Sequence, residues 1–179
     1  KHIVKSAASN LKRVTLELGG KSPCIVFDDA DMDVAIPGAG MAIFANSGQV
    51  CFAGSRLFVQ KKSYDKVVEG VAKFASSLKV GSGFDPETMV GPLISEKQRE
   101  RVTGYIESGR RDGAEIVTGG GRAPGQGYFV QPTIFANTKA DLGIVKEEIF
   151  GPVLVATPWE DLDDLLRLAN DTRYGLGAG

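Results

Sequence analysis

Cys51 is the side chain in this sequence best suited to nucleophilic chemistry. It stands in residues 44–55, where an apolar helical pattern gives way to small, polar and glycine residues. A cysteine attacks as its thiolate, and an unperturbed thiol is about 3% ionised at neutral pH. A helix N-terminus beside the thiol would raise that fraction, because unpaired N–H groups favour the anion. The alternative interpretation of a free cysteine is a small buried hydrophobic residue.

Glu17 is a second candidate because of where its carboxylate would lie. Residues 14–18 alternate apolar and polar side chains, which predicts a strand that ends at the glycine pair 19–20. Glu17 would then stand at the carboxyl end of a strand, where open α/β sheets bind ligands. An exposed strand carboxylate without a chemical role is the alternative.

Two glycine-containing stretches resemble phosphate-binding loops only in part. Residues 19–22 read Gly-Gly-Lys-Ser, but a P-loop needs a further glycine where this chain has Thr15. Residues 119–127 are rich in glycine without the spacing of a dinucleotide or phosphate loop. We therefore exclude a P-loop nucleotide hydrolase and expect residues 119–127 to form a surface connection.

The composition excludes several classes of function. The 179 residues are 42% apolar and 24% charged, and the formal net charge is −1, which gives no electrostatic basis for a nucleic-acid or membrane partner. Two cysteines and one histidine are too few for a disulfide framework or a zinc cluster, so we expect no metal site. A reducing, cytoplasmic setting is the prediction that follows.

Periodicity predicts helices that alternate with short strands. Asp31, Ser63 and Ser95 are predicted N-caps, and Ser95 with Gln98 matches a capping box. The predicted helices cover residues 3–8, 31–44, 63–78, 95–111 and 161–169, and the later strands cover residues 23–27, 57–60, 116–117, 128–135 and 153–156. This alternation predicts an α/β fold in three layers, with a largely parallel sheet and flanking helices.

Three segments together resemble the signatures of the NAD(P)-dependent aldehyde dehydrogenase superfamily. Residues 16–23 resemble its glutamate signature, residues 46–55 its cysteine signature, and residues 148–152 its cofactor-contacting segment. The separations, 34 positions from Glu17 to Cys51 and 97 from Cys51 to Glu148, resemble those of the family. Residues 36–56 are similar to phenylacetaldehyde-type members in particular.

The resemblance implies a mechanism for oxidising a small-molecule aldehyde to a carboxylic acid. Cys51 would form a thiohemiacetal and then a thioester, which water activated by Glu17 would hydrolyse. The Cys51 backbone N–H would stabilise the oxyanion. Glu148 would bind the nicotinamide ribose of NAD or NADP, and Phe150 would pack near the nicotinamide ring.

The resemblance also implies a domain organisation. Residues 1–20 would be the C-terminal remnant of a cofactor-binding domain, and residues 21–179 a catalytic domain that stops before its final strands. The family's glycine fingerprint and oxyanion asparagine would lie upstream of residue 1. We therefore expect this chain alone to bind NAD(P) poorly and to have little activity, and the full-length protein to be a homo-dimer or homo-tetramer.

Three alternatives stay open at this stage. A member that passes the acyl group to coenzyme A would generally lack the glutamate, so Glu17 favours water. A cysteine hydrolase needs a base beside the thiol, and the one histidine, His2, lies at the start of the chain. A non-catalytic scaffold is disfavoured by the presence of both Cys51 and Glu17.

Overall fold

A five-stranded sheet forms the centre of the computed structural model, which describes residues 1–179. Its strands are β1 (Pro23–Val26), β2 (Arg56–Gln60), β3 (Glu115–Thr118), β4 (Thr133–Ala136) and β5 (Val153–Trp159). Their order in the sheet is β1-β2-β5-β4-β3. Neighbours are parallel except β3 and β4, so the prediction of a largely parallel sheet is confirmed.

Six helices surround this sheet. They are α1 (His2–Ala8), α2 (Met32–Phe44), α3 (Tyr64–Ser77), α4 (Glu96–Arg111), α5 (Gly143–Lys146) and α6 (Leu162–Asn170). Asp31 Oδ1 accepts from the Asp33 N–H at 3.0 Å, and Ser95 Oγ accepts from the Gln98 N–H at 3.2 Å, as N-caps do. Ser63 precedes α3, but its hydroxyl donates to Asp28 Oδ1 at 2.7 Å, so it is not a side-chain cap.

The pleat of the sheet divides its buried side chains between two helical layers. Leu57, Val59, Leu154 and Ala156 join α2 and α3 in one core cluster. On the opposite face, residues of β4 and β5 pack against α4 and α5, and Phe58 and Trp159 pack against α6; the members are Phe135, Val153, Val155, Val102, Ile106, Ile144 and Leu165. Alternate residues therefore face opposite layers, as strand geometry requires, and the three-layer fold is confirmed.

The strand predicted for residues 14–18 is wrong. Residues 13–18 are exposed and form no backbone hydrogen bond, although their apolar residues alternate as in a strand. A strand needs a neighbour with which to exchange hydrogen bonds, and none runs beside this segment. The outer edge of β1 is occupied instead by Gly179, whose carbonyl accepts from the Ile25 N–H at 2.8 Å.

The other differences concern the lengths of elements. Within residues 128–135 only β4 pairs as a strand, because its partner β5 begins opposite Thr133, at Val153. β5 continues to Trp159, three residues beyond its predicted end, since β2 pairs with it over that length. The short helix α5 was not predicted. None of the helices combines the length and the apolar character that crossing a bilayer requires.

Candidate active site

Cys51 lies in a tight turn between a short 3₁₀ segment, Ala45–Gly48, and β2. The Ala53 N–H donates to the Val50 carbonyl at 3.1 Å and closes the turn around the half-buried cysteine. No helix begins at Cys51, so no helix N-terminus lies beside the thiol to favour its thiolate. The position of Cys51 is instead fixed by the turn and by the residues that precede it.

The backbone before Cys51 is held in an unusual conformation. Asn46, Ser47 and Gly48 have φ angles of 50°, 57° and 70°, all in the left-handed region. For a residue with a side chain this conformation costs about 1–2 kcal/mol, and it persists only where surrounding contacts impose it. Such strain tends to occur at functional sites.

Side-chain hydrogen bonds impose this conformation. The buried Ser47 hydroxyl donates to the Gly91 carbonyl at 2.8 Å, and the Asn46 amide donates to the Gln49 carbonyl at 3.1 Å. Gln49 also accepts, through Oε1, from the Ile94 N–H at 2.9 Å. The cysteine turn is therefore tied to a loop more than 40 positions away along the chain.

Two glycines allow other segments to approach the cysteine turn closely. A Cβ at Gly20 would lie 2.1 Å from the Cys51 carbonyl oxygen, and a Cβ at Gly48 would lie 2.1 Å from the Gly151 carbonyl oxygen. The Gly20 N–H donates to Glu148 Oε1 at 3.1 Å. Residues of all three motif segments thus meet. The cavity left between them is only about 10 Å³, which is near the size of one water molecule.

Glu148 and Phe150 present different groups at this meeting point. Glu148 Oε1 accepts from Gly20, while Oε2 accepts no hydrogen bond within the chain. Phe150 is 37% exposed, and its backbone has a φ of 58°. A carboxylate oxygen without a donor suits a ribose hydroxyl, and an exposed ring suits a flat heterocycle, so both residues fit a nicotinamide dinucleotide.

Glu17 lies outside this packed region. It is exposed, on the segment that carries no sheet partner, and its backbone forms no hydrogen bond. The structure therefore brings together Cys51, Glu148 and Phe150 of the four predicted site residues. No cluster of three or more His, Cys, Asp or Glu side chains has the arrangement that could hold a metal ion.

Lys21 and Ser22, to which the sequence analysis assigned no role of their own, are buried. Lys21 Nζ and Ser22 Oγ have no hydrogen-bond partner, and both residues line a cavity of about 500 Å³ beside the C-terminal segment. Burial and, to a smaller extent, the nearby Arg56 lower the pKa of Lys21 to about 7, against the opposing effect of Glu148 and Glu147. Lysine and serine are mostly exposed in proteins, so the sequence does not predict that these two residues are buried.

Replacing Lys21 with methionine should change how stability depends on pH. The Lys21 pKa is about 7 in the folded chain, whereas the ordinary pKa of a lysine side chain is 10.5. Between those pH values the unfolded chain binds one proton more, so the free energy of unfolding rises with pH across that window. We expect methionine at this position to remove that slope and to stabilise the chain below pH 7 by on the order of 5 kcal/mol.

Urea unfolding at several pH values between 6 and about 10 measures this effect. Lys73→Met, which replaces an exposed lysine of α3, is the matched control and should keep the slope of the original chain. Equal slopes for Lys21→Met and Lys73→Met would show that Lys21 keeps its proton in the folded chain.

Comparison with known proteins identifies the family of this chain. A family model described as the aldehyde dehydrogenase family matches residues 1–179. The mitochondrial aldehyde dehydrogenases of Leishmania tarentolae and Mesocricetus auratus are 51% and 49% identical over 97% and 99% of this chain. These alignments cover 35% and 36% of the relatives, so the chain spans about a third of their length.

A solved structure shows the same fold. The NAD+ complex of an aldehyde dehydrogenase from Bacillus cereus superposes with a TM-score of 0.93 at 50% identity. The match covers 99% of this chain and 36% of that protein. Because the family model covers the whole sequence, the chain belongs to the aldehyde dehydrogenase family.

Proposed function

We propose that the full-length protein carrying this chain oxidises an aldehyde to a carboxylic acid with NAD+ or NADP+. The observation that carries the proposal is the contact of the cysteine turn with Gly20 and, through Gly20, with Glu148. Residues from three distant parts of the sequence thereby place a nucleophile beside groups that fit a dinucleotide. Family membership and the NAD+ complex of the Bacillus cereus relative support the same activity.

In the first step, Cys51 supplies the attacking sulfur. Its thiolate forms a bond to the carbonyl carbon of the aldehyde, and the carbonyl oxygen gains negative charge as the carbon becomes tetrahedral. The Cys51 backbone N–H donates to no acceptor in the chain, so it is free to donate to this oxygen. Because the turn fixes Cys51, the relative position of its sulfur and its backbone N–H stays constant.

Glu148 and Phe150 would hold the nicotinamide half of the dinucleotide. Glu148 Oε2 would accept from a ribose hydroxyl, and the exposed Phe150 ring would pack near the nicotinamide. When bound, the dinucleotide supplies an acceptor for the hydride that the substrate carbon loses. The acyl group then remains on Cys51 as a thioester.

Glu17 completes the reaction in this proposal. Its carboxylate removes a proton from the water that attacks the thioester carbon, and the Cys51 thiolate leaves as the acid forms. Glu17 is exposed in this chain, so its carboxylate is open to water. The presence of this carboxylate supports water, rather than coenzyme A, as the acyl acceptor.

Aldehyde oxidation by the full-length protein tests the proposal directly. A panel of aldehydes that includes phenylacetaldehyde, with NAD+ or NADP+ and without coenzyme A, should give a carboxylic acid and the reduced dinucleotide. A requirement for coenzyme A would indicate the acylating alternative. A folded protein that reduces neither dinucleotide with any aldehyde would support the non-catalytic scaffold.

Assembly and location belong to the same proposal. We propose a homo-dimer or homo-tetramer, which the solution mass of the full-length protein would test. A cytoplasmic location is supported by the low number of cysteines, both of which are free thiols. Two relatives are named as mitochondrial enzymes, so cell fractionation is the measurement that decides the compartment.

A further inference from the structure

The cavity beside Lys21 and Ser22 contains hydrogen-bond donors that no group of the chain accepts. Lys21 is 2% exposed and Ser22 is 3% exposed, and Lys21 Nζ and Ser22 Oγ both lack a hydrogen-bond partner. Burying a polar group without a partner costs free energy, and burying an unpaired charge costs more. Two such groups on the wall of one cavity of about 500 Å³ therefore indicate a ligand that carries acceptor atoms.

The charges around this cavity favour an anionic ligand. Lys21 and Arg56 both line the cavity, and no lining residue is Asp or Glu. Arg56 donates to three carbonyls, those of Lys21, Leu168 and Ala169, which hold its guanidinium in place without a carboxylate. Two cations close together in a region of low dielectric repel each other, and an anion beside them offsets that repulsion.

The carboxylates that act on these two cations have other partners. Burial lowers the pKa of both cations, and Glu148, Glu147 and Asp171 only partly oppose this shift. Glu148 accepts from a backbone N–H, Glu147 accepts from a tyrosine hydroxyl of α4, and Asp171 forms a salt bridge with Lys146. None of the three lines the cavity, so none of them neutralises Lys21 by direct contact.

The remaining walls of the cavity suit the apolar part of an organic molecule. Leu166 and Leu176 are among the apolar residues that line it. The volume of the cavity is in the range of small-molecule sites, which combine apolar walls with a few polar groups. The cavity also borders the cysteine turn, because a Cβ at Gly177 would lie 3.1 Å from Phe52 Cβ and 3.3 Å from Ser22 Oγ.

We propose that this cavity binds an organic carboxylate, with the carboxylate group on Lys21 and Ser22 and the apolar part against Leu166 and Leu176. A carboxylate has two acceptor oxygens, so one can accept from the ammonium and the other from the hydroxyl. The ligand is the carboxylic acid that the proposed reaction forms at the neighbouring cysteine turn. This choice of ligand rests on the proposed function, whereas the site for a carboxylate does not.

Equilibrium dialysis of phenylacetate with the full-length protein, without aldehyde or dinucleotide, tests the proposal. Lys21→Met removes the cation, Ser22→Ala removes the hydroxyl, and Leu176→Trp fills the cavity while it keeps both donors. Lys73→Met is the matched control, since Lys73 is an exposed lysine of α3. Phenylacetamide has nearly the shape of phenylacetate without its charge and serves as the neutral comparison. Circular dichroism checks that each variant is folded.

We expect Lys21→Met to weaken phenylacetate binding by about 20-fold and Ser22→Ala by about 5-fold, the effects of losing a charged and a neutral hydrogen bond. Leu176→Trp should also weaken binding, and Lys73→Met should not. Phenylacetamide should bind about 10-fold more weakly than phenylacetate or worse. Because the carboxylate binds the protonated amine, the affinity should fall between pH 7 and pH 9, above the Lys21 pKa of about 7.

Equal binding of phenylacetate by the original protein and by Lys21→Met would overturn the proposal, as would equal binding of phenylacetate and phenylacetamide. Failure of the original protein to bind phenylacetate would also overturn it. That result is expected if an Asp or Glu side chain elsewhere in the full-length protein pairs with Lys21. The proposed function fails separately, if the protein oxidises no aldehyde. Binding of phenylacetate that depends on Lys21 would then keep the carboxylate site and remove only its connection with the product.

Discussion

Replacing Cys51 with serine in the full-length protein should lower kcat/KM for aldehydes by on the order of 10⁴-fold or more. A serine hydroxyl is far less acidic than a thiol and has no general base beside it here, so the first bond to the substrate would not form. The substitution is small and lies in a half-buried turn, so the fold should persist. Dinucleotide reduction in the steady state, with circular dichroism as the check on folding, measures the effect.

Cys24→Ala provides the matched control for the nucleophile. Cys24 is the second free thiol, and its place in β1 and the burial that raises its pKa make it a packing residue. Cys24→Ala should keep kcat/KM within about 3-fold of the original protein and lower the free energy of unfolding by about 1 kcal/mol. Iodoacetamide should label Cys51 and not Cys24 at neutral pH, and aldehyde should protect Cys51. Substantial turnover by Cys51→Ser would remove Cys51 from the mechanism.

Replacing Glu17 with glutamine has the second largest expected effect. The amide cannot accept a proton from water, so the thioester should persist and steady-state kcat should fall by about 10²–10⁴-fold. Thiohemiacetal formation does not need this base in the proposed mechanism. The first turnover should therefore remain fast and produce one reduced dinucleotide per active site, as stopped-flow absorbance would record.

Glu69→Gln is the control for loss of one negative charge, because Glu69 is an exposed carboxylate of α3. Glu69→Gln should change neither the rate of the first turnover nor the steady-state rate. An unaltered steady state in Glu17→Gln would exclude Glu17 as the hydrolytic base. Loss of the initial phase as well would place Glu17 in the first step, as the group that removes the proton from the Cys51 thiol.

Regular periodicity is the part of this fold that the sequence predicts well. In α3 the apolar positions recur every three or four residues, and Val67, Val71 and Ala75 are indeed buried. The same reasoning places α2, α4 and α6 within a residue or two of their observed bounds. These elements are predictable because each buries one face against the sheet, and the pattern of that face is local in the sequence.

Contacts between distant residues account for what the sequence does not predict. Residues 14–18 have the alternation of a strand, but a strand also needs a neighbour, which no local pattern reveals. Gln98 matches a local cap, yet its side chain binds carbonyls more than 50 positions away. The left-handed backbone of Ser47 and Phe150 has no compositional signal, since neither is glycine or asparagine, the residue types that most often adopt it.

Within the site, residue types were predictable and their surroundings were not. The cysteine, the two glutamates and the phenylalanine could be named from motifs, and three of the four do lie around one packed region. The strained turn that holds Cys51 has no counterpart in the sequence pattern. The burial of Lys21 is equally invisible in the sequence, because lysine is almost never fully buried without a partner.

The exposed segment 13–18 has a consequence for how this family can diverge. It forms no backbone hydrogen bond, whereas the turn that carries Cys51 is held by contacts from Ser47, Gly20 and Gly48. Mutations at residue 17 can therefore accumulate without disturbing the thiol's position. Under the proposed mechanism, descendants could exchange water for another acyl acceptor while inheriting the oxidation step intact.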